Sequence, residues 1–263
     1  MNILDTIKTY KIEEVQKAWK DRPLSSFEST AARLPAPRDF VQAIEDRIAQ
    51  DQIALIAEIK RASPSKGIIR EAFNVAEIAT AYQRGGATCL SVLTDEHFFL
   101  GSAQDLKTAK EVSHLPVLRK DFIVDPYQVY EARAMNADCI LLILAMLEDD
   151  LLVRELAEIA ARLDMGVLVE VHDEHEAERA LSMNAKLVGV NNRNLSDFSI
   201  DLSVSERLSR MLNPHCVVVS ESGITSETEV LRLRAGGIKS LLIGEQLMRA
   251  PDIERATRSI TSL

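Results

Sequence analysis

Four stretches decide the fold: AYQRGGATCLSVL (Ala81–Leu93), ARAMNADCILLIL (Ala132–Leu144), ALSMNAKLVGV (Ala180–Val190) and RLRAGGIKSLLIG (Arg232–Gly244). In each, a helical run ends at Gly or Asn (Gly85, Asn136, Asn184, Gly236), residues that accept the left-handed conformation closing a helix. A small residue follows, and within a few positions a run of Leu, Ile and Val begins. The same helix-to-strand turn is thus written four times. Further strand-like runs lie at Ala54–Ile59, Pro116–Leu118, Gly166–Val171 and Cys216–Ser220, with helix-period sequence between most of them. Runs such as CILLIL and VVVS are apolar at every position, as in strands covered on both faces. Strands alternating with helices pair in parallel through right-handed crossovers. Eight such units in about 210 residues predict a (β/α)8 barrel. The alternative, a doubly wound open sheet, usually announces itself with a glycine-rich first turn, and neither GxGxxG nor GxxxxGK[ST] occurs here.

Outside the barrel, Ile3–Lys20 and Arg38–Gln50 read as helices. The stretch between them carries Pro23, Pro35 and Pro37 and cannot be continuous helix. Residues 1–50 are too short for a core of their own, so the chain reads as one barrel domain over 1–263 with an N-terminal helical extension packed on it. The 263 residues are 46% hydrophobic and 27% charged, which excludes a disordered tail, a collagen-like fibre and a disulfide scaffold. A formal charge of -9 argues against nucleic acid or an anionic membrane as partner. The longest apolar run, Cys139–Leu147, has nine residues, whereas a helical span needs about 20. The N-terminus lacks the apolar core of a signal peptide. Cys89, Cys139 and Cys216 form no CxxC pair, and each starts an apolar run, so they read as buried reduced thiols of a cytoplasmic protein.

In such barrels the reacting groups sit at the carboxyl ends of the strands. Polar residues appear where the apolar runs finish: Glu58 and Lys60, two apart and on one face, then Arg119, Lys120 and Asp121, Glu170 and His172, Asn191 and Arg193, Glu221 and Ser222. Any one strand end meets water. Five of eight carrying both signs of charge predict a site. The seventh and eighth strands end in Ser222-Gly223 and Gly244-Glu245, where glycine lets backbone N–H groups approach an anion and short helices beyond would aim positive dipole ends at it. Despite the acidic chain, Lys60, Lys120 and Arg193 predict a pocket of positive sign. HDEH (His172–His175) mimics a metal cluster, but one histidine ends a strand, the other opens a helix, and no third ligand is near. Phe98 and Phe99 read either as a cap over a ligand or as packing.

The same residues carry a resemblance. IAEIKRASPSKG (Ile56–Gly67), SVLTDEHFFLGS (Ser91–Ser102), PVLRKDFIVDPYQV (Pro116–Val129), LVEVHDE (Leu168–Glu174), VGVNNRNL (Val188–Leu195), SESGI (Ser220–Ile224) and LIGEQLMR (Leu242–Arg249) resemble the indole-3-glycerol phosphate synthases, in order and from about Ile3 to the C-terminus. The resemblance implies a (β/α)8 barrel without cofactor or metal. It also implies ring closure of 1-(2-carboxyphenylamino)-1-deoxyribulose 5-phosphate with release of carbon dioxide and water. Matched to its motifs, Lys120 is the general acid at the ketone, Glu170 an acid/base carboxylate and Lys60 a second lysine. Glu58 and Asn191 orient these groups, and Ser222 completes the catalytic set. Phe99, Phe122, Leu141 and Leu195 wall the aromatic ring. The phosphate rests on Gly223, Gly244 and Glu245 with Ser222 and Lys60 assisting, while Ser63 and Arg193 face the carboxylate. Pro64, Glu221 and Ile243 complete the substrate-binding set. Two residues depart from the family: Leu100 stands where relatives often carry an amide, and Glu245 where some carry a small hydroxyl residue. The implied partner is a phosphorylated small molecule, met by a monomer or weak homo-oligomer. Two rivals remain from the residues alone: an aldolase-type barrel in which Lys120 forms a Schiff base, and a non-catalytic phosphosugar-binding barrel.

Overall fold

A computed structural model describes residues 3–64, 66–195 and 197–263. Eight strands, β1 (Ala54–Ile59), β2 (Cys89–Leu93), β3 (Val117–Lys120), β4 (Cys139–Ile143), β5 (Gly166–Val171), β6 (Leu187–Asn191), β7 (Val217–Glu221) and β8 (Ser240–Ile243), form a closed barrel. Each pairs in parallel with its neighbours in sequence, and β1 closes on β8 through Ala54↔Ser240 to Ala57↔Ile243. A helix follows each strand, as the alternating pattern requires. The strands alternate between two cores: Leu55, Ala57 and Ile59 face the helical layer, whereas Ala54 and Ile56 join Cys89, Leu118, Cys139, Leu168, Leu187 and Val219 inside the barrel.

The turn expected four times is present, with one correction. Asn136 (φ 70°) and Asn184 (φ 54°) are left-handed as read, but in the two Gly-Gly pairs the left-handed residue is the second, Gly86 (φ 87°) and Gly237 (φ 86°). Gly85 is needed for a different reason: a Cβ there would lie 2.5 Å from the Thr257 side chain of the last helix. Cys89 and Cys139 are buried free thiols, and Cys216, one residue ahead of β7, is partly buried.

The extension forms three helices where two were read: α1 (Ile3–Asp21), α2 (Leu24–Ala31) and α3 (Phe40–Ala49). Pro23 ends α1 and caps α2, which accounts for the extra element, because proline is tolerated at a helix start. The extension touches both ends of the barrel. Phe40 and Ile44 of α3 are fully buried against the amino-terminal ends of the strands, next to Cys89 and Gly166. Ile3, Leu4 and Ile7 of α1 reach the opposite mouth. Between α2 and α3 the chain is fastened by Arg38, whose guanidinium donates to the carbonyls of Ser113 and Leu115 and whose backbone N–H donates to Asp138.

Candidate active site

The carboxyl ends of the strands open into a cavity of about 690 Å³. The residues matched to the family motifs all line it, from Glu58, Lys60, Ser63 and Pro64 around to Ile243, Gly244 and Glu245, whereas Arg119 and His172 of the polar rim do not. The cause is the strand period: Glu58, Glu170 and Glu221 occupy inward-facing positions in the last turn of pleat, where the interior core gives way to the mouth.

Lys120 is the hub. Its Nζ lies 3.1 Å from Glu221 Oε2, 3.6 Å from Glu170 Oε2 and 4.0 Å from Glu58 Oε1. Burial opposes the ammonium charge, but Glu221, Glu170 and Glu58 outweigh it and hold this amine protonated well above the usual lysine range. Lys60 sits 2.6 Å from Glu58 Oε2. Burial alone would raise Glu58, yet Lys60 and Lys120 keep it below its ordinary value. Glu170 is likewise pushed up by burial and pulled down further by Lys120, by His172 and by the Asn191 amide at 3.0 Å, to about 2. Glu221 goes the other way. Its burial and the Glu170 charge prevail over Lys120, and its pKa rises to about 7. Three carboxyl groups around one ammonium therefore do not share its charge equally.

Small residues make room for this cluster. A Cβ on Gly244 would meet Glu58 Oε2 at 2.1 Å, and one on Gly189 would meet Glu221 Oε1 at the same distance. Asn192 donates to the carbonyls of Glu221 (2.9 Å) and Ser222 (3.1 Å), holding Ser222 in its left-handed conformation (φ 65°) ahead of Gly223 (φ 80°). A short helix, Glu245–Arg249, starts directly after Gly244, as expected for an anion site. None starts after Gly223. The next helix, Glu227–Ala235, is closed by its own capping box of Ser226 and Glu229, because Glu229 takes the amides of Thr225 and Ser226.

A sequence model described as indole-3-glycerol phosphate synthase matches residues 4–260. Over 260 residues the chain is 56% identical to indole-3-glycerol phosphate synthase 2 of Ralstonia nicotianae, covering 99% of this chain and 97% of that one. It is 49% identical to the synthase of Aromatoleum aromaticum, with 98% of each covered. The chain belongs to the indole-3-glycerol phosphate synthase family. Solved barrels share only its fold. Thiamine phosphate pyrophosphorylase from Pyrococcus furiosus superposes with a TM-score of 0.61 at 17% identity, over 80% of this chain and 94% of that one. The KGPDC of Streptococcus mutans gives 0.62 at 9%, over 80% and 97%. As an indole-3-glycerol phosphate synthase, the enzyme is a carboxy-lyase of tryptophan biosynthesis acting on a phosphorylated small molecule. No helix among the described residues is long and apolar enough to cross a membrane.

The geometry also corrects several readings of this synthase's sequence. Arg119 sits on the rim in sequence but points out of the cavity: it is buried against Asp121 (3.0 Å), Glu131 (2.7 Å) and the carbonyl of Gln128, since strand neighbours face opposite sides. The cavity is not positive overall. Lys60, Lys66, Lys120, Arg193 and Arg249 on its wall are matched by Glu58, Asp121, Glu170, Glu221 and Glu245. Glu245 pairs with Arg249 at 3.0 Å, which accommodates an acid beside the anion site. The two phenylalanines divide: Phe99 lines the cavity 5.9 Å from Phe122, whereas Phe98 packs edge-on against Tyr10 of α1. His172 stays at the end of β5 with Nε2 3.3 Å from Glu170 and Nδ1 3.1 Å from Glu176, and no group of three His, Cys, Asp or Glu among the described residues could hold a metal ion.

Sequence reading missed Leu4 and Ile7, which close one wall, and Phe198 and Ile200 beyond β6. The helical spacing of Leu4 and Ile7 marks a buried face without saying which end of the barrel it covers. Ile200 reaches the wall because it bridges back to Arg193, and Gly223 must lack a Cβ to let it pass.

Proposed function

We propose that the cavity holds 1-(2-carboxyphenylamino)-1-deoxyribulose 5-phosphate stretched between two anion positions. The phosphate rests on the backbone amides of Gly223, Gly244 and Glu245, with Ser222 and Lys60 assisting; Pro64 and Ile243 border the sugar phosphate. The carboxylate faces Ser63 and Arg193, and the aromatic ring lies among Phe99, Phe122, Leu141 and Leu195. In the first step an aryl carbon attacks the ketone, whose oxygen gains charge and takes a proton from Lys120. Loss of carbon dioxide restores conjugation. The hydroxyl then leaves as water with a second proton, and a proton is taken from carbon. Glu170 and Lys60 serve these transfers, while Glu58, Asn191 and Glu221 orient them.

One observation carries this reading: a buried lysine, kept charged by three carboxylates, at the foot of an aromatic-walled cavity. A charged ammonium has a proton to donate to the carbonyl oxygen and no lone pair with which to add to its carbon, which supports the acid role over a Schiff base. Three unpaired thiols support a cytoplasmic setting. Mixing enzyme and substrate without metal or coenzyme generates indole fluorescence. Lys120→Ala lowers kcat by about 10²–10⁴-fold. A near-normal rate in that variant, or borohydride trapping of substrate on Lys120, refutes the assignment.

A further inference from the structure

The two oxygens of Glu170 face different partners. Oε2 looks towards Lys120 at 3.6 Å, while Oε1 accepts from the Asn191 amide at 3.0 Å and lies 3.3 Å from His172 Nε2. His172 does not line the cavity. Its other ring nitrogen is 3.1 Å from Glu176 Oε2, in the first turn of the helix Glu174–Ser182, and its own backbone N–H donates to that oxygen at 2.8 Å. His172 thus meets one carboxylate from β5 and one from the following helix, with Lys120 of β3 and Asn191 of β6 reaching it only through Glu170. Glu170 is essentially inaccessible, whereas the side chains of His172 and Glu176 are 14% and 12% exposed. Glu170, His172 and Glu176 thus line up carboxylate, imidazole and carboxylate behind the cavity floor; Nε2 is buried and makes an ion-pair contact to Glu170 without an aligned hydrogen bond, while Nδ1 is within hydrogen-bond distance of Glu176. Burial lowers the imidazole's proton affinity, but both carboxylates outweigh that and raise its pKa to about 10, so it carries a proton at neutral pH.

The reaction consumes a proton that such a route can carry. The ketone oxygen gains one proton and leaves as water with a second, whereas only one is returned from carbon. The substrate carboxylate departs as neutral carbon dioxide, so each turnover takes one net proton from solvent. Once Lys120 has given its proton to the ketone, Glu170 loses the cation that keeps it ionised. It can then accept a proton on the oxygen facing His172.

We propose that His172, with Glu176 beyond it, is the relay that delivers this solvent proton to Glu170, which then protonates the departing hydroxyl. His172 touches no reacting atom and acts through Glu170 as a positioning and proton-supplying residue. The inference rests on the reading of Glu170 as an acid/base group. His172→Asn keeps a polar contact but cannot carry a proton. It is expected to lower kcat at least tenfold with KM within about twofold, to enlarge the solvent deuterium isotope effect on kcat, and to lose more activity as pH rises. Glu176→Gln, at the outer end, is expected to give a smaller loss with the same isotope and pH signature. A wild-type kcat and pH profile in both variants overturns the relay. So does a loss that leaves the pH profile and isotope effect unchanged, since that is mere structural support. Glu170→Gln separates the two readings: if it is inactive while His172→Asn is normal, only the relay fails, and if it is fully active, the role of Glu170 fails with it.

Discussion

Leu100 is a leucine where the backbone asks for something else. It ends the short helix Glu96–Phe99 at φ 53° and is 47% exposed, so a branched side chain sits in the left-handed region with little packing in return. Asn tolerates that conformation better than a leucine does. Leu100→Asn is expected to stabilise the enzyme by about 0.5–1 kcal/mol in urea unfolding. Glu221 is the opposite case, a residue whose function strains the fold. Its pKa is about 7 in the folded enzyme against an ordinary 4.5, so the native state holds a proton that the unfolded chain releases between those values. Stability from this group is full below pH 4.5 and falls as pH rises through 7. Glu221→Gln should therefore raise Tm by about 2–4 °C at pH 8 and change it little at pH 4, while lowering kcat. Equal shifts at both pH values would contradict this.

At the scale of elements, the extension is joined to the catalytic face by one buried cation. Lys11 of α1 lies 2.8 Å from Asp95 and 3.0 Å from Asp121, all three essentially inaccessible. Burial opposes its charge, but the two aspartates prevail and hold it protonated above the usual range. Asp95 caps the helix that carries Phe99, and Asp121 stands between Lys120 and Phe122 while bonding Thr94 and Arg119. Lys11→Met leaves two buried carboxylates facing each other and is expected to cost about 3–5 kcal/mol. Because those aspartates shape the loops after β2 and β3, kcat should fall as well in steady-state assays with indole fluorescence. Lys11 looks like any lysine on an amphipathic helix, and nothing in its local pattern distinguishes it from the solvated ones.

For the whole molecule, α3 is the floor of the barrel and the cavity is its roof. Phe40→Ala removes a fully buried ring from the amino-terminal end and should cost about 3–5 kcal/mol. With the opposite mouth untouched, KM should stay within about twofold of the wild type. A large KM change would mean that the interior core transmits floor packing to the site.

The barrel, its eight strands and the rim residues were legible because they depend on local periodicity. A parallel strand covered on both faces must be apolar throughout, and a barrel strand that ends at the mouth must turn polar there. Most of the polar strand-end residues read from that pattern line one cavity, with Arg119 and His172 outside it. What periodicity cannot express is which neighbour a charged group finds across the barrel. That choice made Arg119 a buried structural cation and its neighbour Lys120 the hub of three carboxylates. It balanced a pocket read as positive and placed His172 between Glu170 and Glu176. It also brought α1 over the mouth. The sequence determined the alternation and hence the fold, because backbone geometry ties side-chain direction to spacing. Only the closed barrel decided the electrostatics, because those depend on distances between residues as much as about 160 positions apart in the chain, such as Glu58 and Glu221 around Lys120.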